Sequence, residues 1–349
     1  MASQDITHNP THQIILPLRW EAISLAVLCI APTVIKSVEA LEVSAYANLN
    51  IHAEYVEPDK ETAQVKKYTG LRDAYSQIGI NFEQELSDNQ KVRFHLFAPV
   101  DLANLEFQDT WDHDADAPQY EIYWTTPFGE LKAGYLYLPY YDAIASVVDR
   151  FSSYYTGFAT YSAFRTKKSL VYVSPSFNGF NIGTSVSVNQ GLDDDNLLNL
   201  TLNWKSDKTS VSLGLQDQQG LLNTRLWGIS ASHTPIDGLF IGIKTEVFDT
   251  DNSAGYGGDG DRSTAAFVSY DYGNQTFKAM LADTDNYGGL SYTLGCDYRY
   301  SDTVKFFVEY YTEEETAAIT AERAGSEVFD TDASGGRAVA AGVSLNFAW

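Results

Sequence analysis

The sequence predicts an all-β fold: a 16-stranded antiparallel transmembrane β-barrel with an inward-folded third loop. Three observations predict it. Apolar and polar residues alternate at period two in segment after segment, most of them near the ~9–11 residues that a tilted strand needs to cross hydrocarbon. Ionisable side chains keep to one face of those segments. The connections alternate between short turns and long polar loops, the pattern of a barrel with one plain and one elaborated rim.

The chain has 349 residues, a formal net charge of −23 and a mean hydropathy of −0.23, which argues against helical membrane spans. One short apolar run, Ala22 to Val34, follows Arg19 and precedes Ser37-Val38-Glu39-Ala40. Small residues after such a run read as a signal peptide over residues 1–40, with residues 41–349 forming the barrel. Cys29 is not in a lipoprotein box, because Leu28 precedes it where a small residue is needed. Cleavage would leave Cys296 as the remaining cysteine, so stability would have to come from a large core or a closed sheet rather than from a disulfide. Taking Arg19 and Lys36 from the 23 basic residues, and Asp5, Glu21 and Glu39 from the 46 acidic ones, leaves 21 against 43. That acidity disfavours nucleic acid as a partner.

From Leu41 the apolar set Leu41, Val43, Ala45, Ala47, Leu49, Ile51, Ala53 and Tyr55 alternates with Glu42, Ser44, Tyr46, Asn48, Asn50, His52 and Glu54. Further along, Lys91, Arg93 and His95 oppose Val92, Phe94 and Leu96. Lys244 and Glu246 oppose Ile241, Ile243 and Thr245, and Lys305 and Glu309 oppose Val304, Phe306 and Val308. A charge facing lipid at mid-membrane costs ~2–4 kcal/mol, so a bilayer enforces this segregation. A soluble sandwich would also alternate, but with shorter strands.

Short turns are expected at Ser87-Asp88-Asn89, Pro127-Phe128-Gly129, Pro175 to Gly179, Ser206-Asp207-Lys208, Pro235 to Gly238, Gly273-Asn274 and Ser301-Asp302-Thr303. Between them fall long connections at Glu57 to Gly70, Ala103 to Pro118, Pro139 to Phe164, Asn189 to Asp195, Asp217 to Leu222, Asp249 to Arg262, Asp283 to Gly289 and Thr312 to Gly336. An even strand number puts both ends of the barrel at the short-turn rim. Trp124, Trp204 and Trp349 at strand ends suit a membrane-interface girdle. The segment Pro139 to Phe164, loop three, is too long and too aromatic for a surface turn. It is expected to fold into the lumen and narrow it.

On these residues the chain resembles the general diffusion porins of Gram-negative outer membranes over essentially all of Leu41 to Trp349. The resemblance is carried by the terminal strand Gly342-Val343-Ser344-Leu345-Asn346-Phe347-Ala348-Trp349 and the block Phe128-Gly129-Glu130-Leu131-Lys132-Ala133-Gly134. Tyr141-Asp142-Ala143 and Tyr172-Val173-Ser174-Pro175-Ser176-Phe177-Asn178-Gly179-Phe180 add to it. It implies a homotrimer set among outer-membrane lipid and lipopolysaccharide. It also implies recognition by the barrel-assembly machinery through the strand ending at Trp349, where the family usually has Phe. Such porins carry acids on loop three facing a basic wall. Arg165, seven residues before Tyr172, falls at one such wall position, whereas Asn48, Gln77 and Gly134-Tyr135 stand where basic residues are usual. The acidic Pro-Glu-Phe-Gly motif is missing, leaving Asp142 and Asp149 as the loop's carboxylates.

The expected function is passive diffusion of small hydrophilic solutes and ions, without enzymatic activity or cofactor. The expected constriction comprises Asp142, Asp149, Arg165, Arg93, Lys91, Tyr154 and Tyr155. With Glu83, Glu85 and Glu121 inward, it predicts a mild cation preference. The loop's rings, Tyr140, Tyr141, Phe151, Tyr154, Tyr155, Phe158, Tyr161 and Phe164, leave two readings open: an aromatic slide in a sugar-specific channel, or packing of the loop against the wall. An outer-membrane hydrolase is the remaining alternative; of His52, His95, His113 and His233 only His233 shares a face with apolar neighbours, and no spaced nucleophile motif accompanies it. Acidic runs at Asp109 to Asp116, Asp193 to Asp195 and Asp249 to Asp261 read as solvated surface. The last opens like a calcium loop but lacks its twelfth-position glutamate, so no metal is assigned.

Overall fold

A computed structural model describes residues 41–62, 65–110, 117–188, 196–219, 223–250, 258–315, 317–319 and 334–349. The expected signal peptide, Asp193 to Asp195 and most of two other acidic runs lie outside the described residues. The strands are β1 (Glu42–Lys60), β2 (Tyr68–Asp73), β3 (Ser76–Ser87), β4 (Gln90–Val100), β5 (Gln119–Thr126), β6 (Gly129–Tyr137), β7 (Arg165–Val173), β8 (Phe180–Ser187) and β9 (Leu197–Lys205). There follow β10 (Thr209–Gln218), β11 (Thr224–His233), β12 (Leu239–Thr250), β13 (Arg262–Tyr272), β14 (Gln275–Thr284), β15 (Gly289–Arg299), β16 (Val304–Glu313) and β17 (Ser334–Ala348).

From β3 onward each strand pairs antiparallel with the next, and β17 returns to pair with β1 from Tyr46↔Ala348 to Lys60↔Ser334, closing the sheet. Trp349 completes the seam by exchanging backbone hydrogen bonds with Ala45. Closure removes every free edge, which lets a sheet stand in lipid without unpaired backbone groups. Seventeen segments make 16 staves, because β2 and β3 both pair with β1 and are one stave interrupted at Ala74-Tyr75. Tyr75 has φ 69° there. The gap is patched by the Ser76 hydroxyl, which accepts from the Asn50 N–H at 2.8 Å, while Asp73 gathers the Ser76 N–H and the Thr110 hydroxyl. The barrel wall is also taller than the sequence suggests on this side: β1 continues to Lys60 and β2 begins at Tyr68, inside the expected Glu57 to Gly70 connection.

The faces are inverted relative to a soluble sandwich. On β12, Lys244 and Glu246 are buried whereas Ile241 and Ile243 are 40% and 52% exposed; on β15, Thr293 is buried and Leu294 is 51% exposed. Exposed apolar side chains such as Leu202, Leu213, Ile229, Leu281, Phe306 and Val308 cover the outside, a surface that only hydrocarbon satisfies. Phe128, Phe177, Tyr272 and Tyr300, all highly exposed, mark the short-turn rim. All seven short turns fall where the alternation places them.

Candidate functional site

Loop three starts as a short helix, Pro139–Ala143, with proline at its first turn, continues through a 3-10 turn, Ala145–Val147, and then runs irregularly to Phe164. It packs against the polar, buried face of the sheet. Its apolar side chains need an apolar seat, and the wall supplies one. Gly214 and Gly228, directly opposed on β10 and β11, make a floor under Tyr140 and Ile144; a Cβ on Gly228 would stand 2.3 Å from Tyr140 Oη. Val147 and Val148 pack with Ala265, Phe267 and Met280, and Tyr154, Tyr155 and Phe158 pack with Val56, Tyr311 and Ala338.

Wall carboxylates fasten the loop. Glu309 accepts the N–H groups of Ser152 and Ser153 at 2.7 and 2.9 Å. Glu246 accepts the Thr160 hydroxyl at 2.9 Å and the Tyr161 N–H at 3.3 Å, and Glu54 accepts the Tyr155 hydroxyl at 2.7 Å. Two of these three charges are balanced on the wall itself, since Lys244 pairs with Glu246, and Lys278 bridges Asp297 and Glu309 at 3.0 Å each. Hydrogen-bonded, paired charges of this kind survive burial where lone ones would not.

Between loop three and the opposite wall a cavity of about 490 Å³ remains. One side carries Tyr141, Asp149, Phe151, Ser152, Ser153, Thr156 and Phe164 of the loop; the other carries Asn50, Tyr75, Asp109, Tyr135, Tyr137 and Arg165, with Lys305 also on the lining. Two backbone irregularities build the wall side. The break between β2 and β3 delivers Tyr75. Opposite Gly134 to Leu136 of β6, β7 carries one extra residue around Lys168, which has φ 57°, and beyond this bulge Arg165 meets both Tyr135 and Tyr137. Gly134 sits at φ 135°, where a Cβ would lie 2.2 Å from the Tyr120 carbonyl oxygen. Arg165 bonds Asp109 at 2.6 Å, and its guanidinium lies 4.7, 4.8 and 5.3 Å from the ring centres of Tyr75, Tyr135 and Tyr137.

The sheet is closed, apolar outside and polar on its buried face. The model for Gram-negative porins matches residues 24–318. The chain belongs to the Gram-negative porin family. It is thus an outer-membrane protein that crosses the bilayer many times. Solved porins share the fold at low identity. The anion-selective porin from Comamonas acidovorans aligns with TM-score 0.65 and 18% identity over 88% of this chain and 100% of that one. A mutant of the Rh. blastica porin aligns at 0.60 and 16% over the same shares. No functionally curated protein matches in sequence.

In this porin the residues expected at the constriction separate into three groups. Asp149 and Arg165 do line the cavity, and Asp142 is exposed on the loop's short helix. Asp149 is not a bare charge, because both its oxygens are held, by Tyr141 and Thr156 hydroxyls. Burial pushes its carboxyl above the usual carboxylate range, against those hydrogen bonds. Lys91 and Arg93 lie elsewhere: Lys91 pairs with Glu83 beside the short turn, and Arg93 stacks 4.0 Å over Tyr123. Arg165 sits near Gln119, which pairs with Phe97; Arg93 is four residues closer to the turn, or ~13 Å at ~3.3 Å per residue. Tyr154 and Tyr155, at 5% and 1% exposed, are in the joint between loop and wall rather than on the water side, as packing of the loop requires.

Nothing in the sequence marks Tyr75, Tyr137, Asp109 or Lys305 as residues of this cavity. Asp109 opens an acidic run expected at the solvated surface, yet its side chain is fully buried against Arg165. Lys305 was legible as inward from its strand position. That it donates to the Ser152 hydroxyl at 2.8 Å, and so meets the loop's tip, was not.

Proposed function

We propose that this porin is a non-enzymatic channel for passive diffusion of small hydrophilic solutes and ions, working as a homotrimer, with its size limit set by loop three. The observation that carries the reading is the fastening of the loop to wall carboxylates on β1, β12 and β16, which holds the bore at one width. A polar lumen keeps the passage wet, and the loop's backbone is satisfied by the wall rather than left to swing.

Charge selectivity is weak in this reading. The cation preference expected from Asp142 and Asp149 is reduced, because Asp149 is engaged within the loop and Asp109 is neutralised by Arg165. Lys305, 34% exposed, adds a cation to the same lining. The Comamonas porin is titled anion-selective; here most charges at the cavity meet an opposite partner. Planar bilayers test all of this together. The expected record has three equal closing steps, and a KCl gradient gives a reversal potential within a few millivolts of zero. A single closing step refutes the trimer, and a reversal potential near either ideal limit refutes weak selectivity. Liposome swelling should fall smoothly with solute size; no swelling with any small solute refutes the channel.

A further inference from the structure

We propose that the cavity between loop three and the β6–β7 wall binds planar aromatic carboxylates, a refinement that rests on the channel reading. Five of its lining rings, Tyr75, Tyr137, Tyr141, Phe151 and Phe164, face one space of about 490 Å³. Three are in direct contact: Tyr137 and Tyr141 stack at 5.4 Å between centroids, inclined by 24°, and Tyr141 meets Phe164 at 4.5 Å. Such rings favour a flat apolar solute, whereas a hydrated ion gains nothing from them.

The polar atoms say which flat solute. The two carboxylates on the lining are already engaged, Asp109 by Arg165 at 2.6 Å and Asp149 by Tyr141 and Thr156. A neutral sugar ring gains most from carboxylates left open to accept its hydroxyl protons, and both lining carboxylates already hold partners. Donors remain available. The Lys305 ammonium has three N–H groups and bonds Ser152 Oγ at 2.8 Å and Asp297 at 3.3 Å, which leaves one for a solute. Ser153 lines the same space, whereas the Thr156 hydroxyl is already spent on Asp149. A cationic donor beside an aromatic wall matches a carboxylate joined to an aromatic ring, the ring on Tyr141 and Phe164 and the anionic oxygens towards Lys305.

Benzoate is the probe, titrated into the detergent-solubilised protein and read by saturation-transfer NMR, with acetate, cyclohexanecarboxylate and maltose as comparisons. Benzoate should bind about tenfold more tightly than acetate or cyclohexanecarboxylate, and Lys305→Gln should weaken it about tenfold. Tyr141→Leu should erase the preference for benzoate over cyclohexanecarboxylate. Benzoate binding no tighter than acetate, or unchanged in both variants, overturns the proposal, as does maltose displacing benzoate. KCl conductance without benzoate reports the channel separately. A conducting pore indifferent to benzoate sinks the site alone; a silent pore that still binds benzoate through Lys305 supports the site and sinks the channel.

Discussion

Substituting Gly228→Ala should loosen loop three without touching any charge. The added methyl would stand 2.3 Å from Tyr140 Oη and 2.9 Å from Ile144 Cγ2, where contacts of ~3.5–4.0 Å are comfortable. Tyr140 cannot yield cheaply: it is fully buried, and across the ladder Gly214 closes the other side of its seat. Overpacking of this kind costs ~1–3 kcal/mol. If the cost falls on the docked loop, the ratio of docked to undocked forms drops by about 5- to 150-fold. Single-channel recordings should then show added open-state noise and a higher-conductance substate. Adding Tyr140→Phe removes the atom at 2.3 Å and should restore part of the quiet trace, leaving the 2.9 Å contacts with Ile144 Cγ2 and the ring Cζ of residue 140. Recordings of Gly228→Ala that match the parent, or a double variant no quieter than the single one, would refute the glycine-floor argument.

Two further outcomes follow from the burial pattern. Lys244→Met strands Glu246 without its cation, and breaking one side of a buried pair should cost ~3–5 kcal/mol, read as a lower midpoint in guanidinium unfolding; adding Glu246→Leu should recover part of it, and an unchanged midpoint in the single variant would contradict the pairing. Leu294→Arg, in the middle of β15 and facing outward, should cost ~2–4 kcal/mol in folding into lipid vesicles, whereas Tyr272→Arg at the short-turn rim should cost ~0–1 kcal/mol. Equal costs at the two depths would mean that hydrocarbon does not lie against that face.

What the sequence alone decided is the barrel and its orientation of faces. Period-two alternation assigns each side chain to one of two sides, and the lipid side tolerates no charge, so residues such as Lys244, Glu246, Lys305 and Glu309 could be placed inward from local pattern. The turns were equally legible, because Asp88-Asn89 and Gly273-Asn274 carry their geometry in two residues. Which inward groups face water emerges only from the folded barrel. Alternation gives a side but not a height, so Arg93 and Arg165 look equivalent in the sequence although one lies ~13 Å nearer the rim. Nor does it say what lies against a residue. Glu309 meets Ser152 across 157 positions, and Glu246 meets Thr160 across 86. Such contacts exist only once the sheet has closed and the loop has crossed its bore. They convert wall carboxylates into anchors, bury Tyr154 and Tyr155, and leave Lys305 beside the opening.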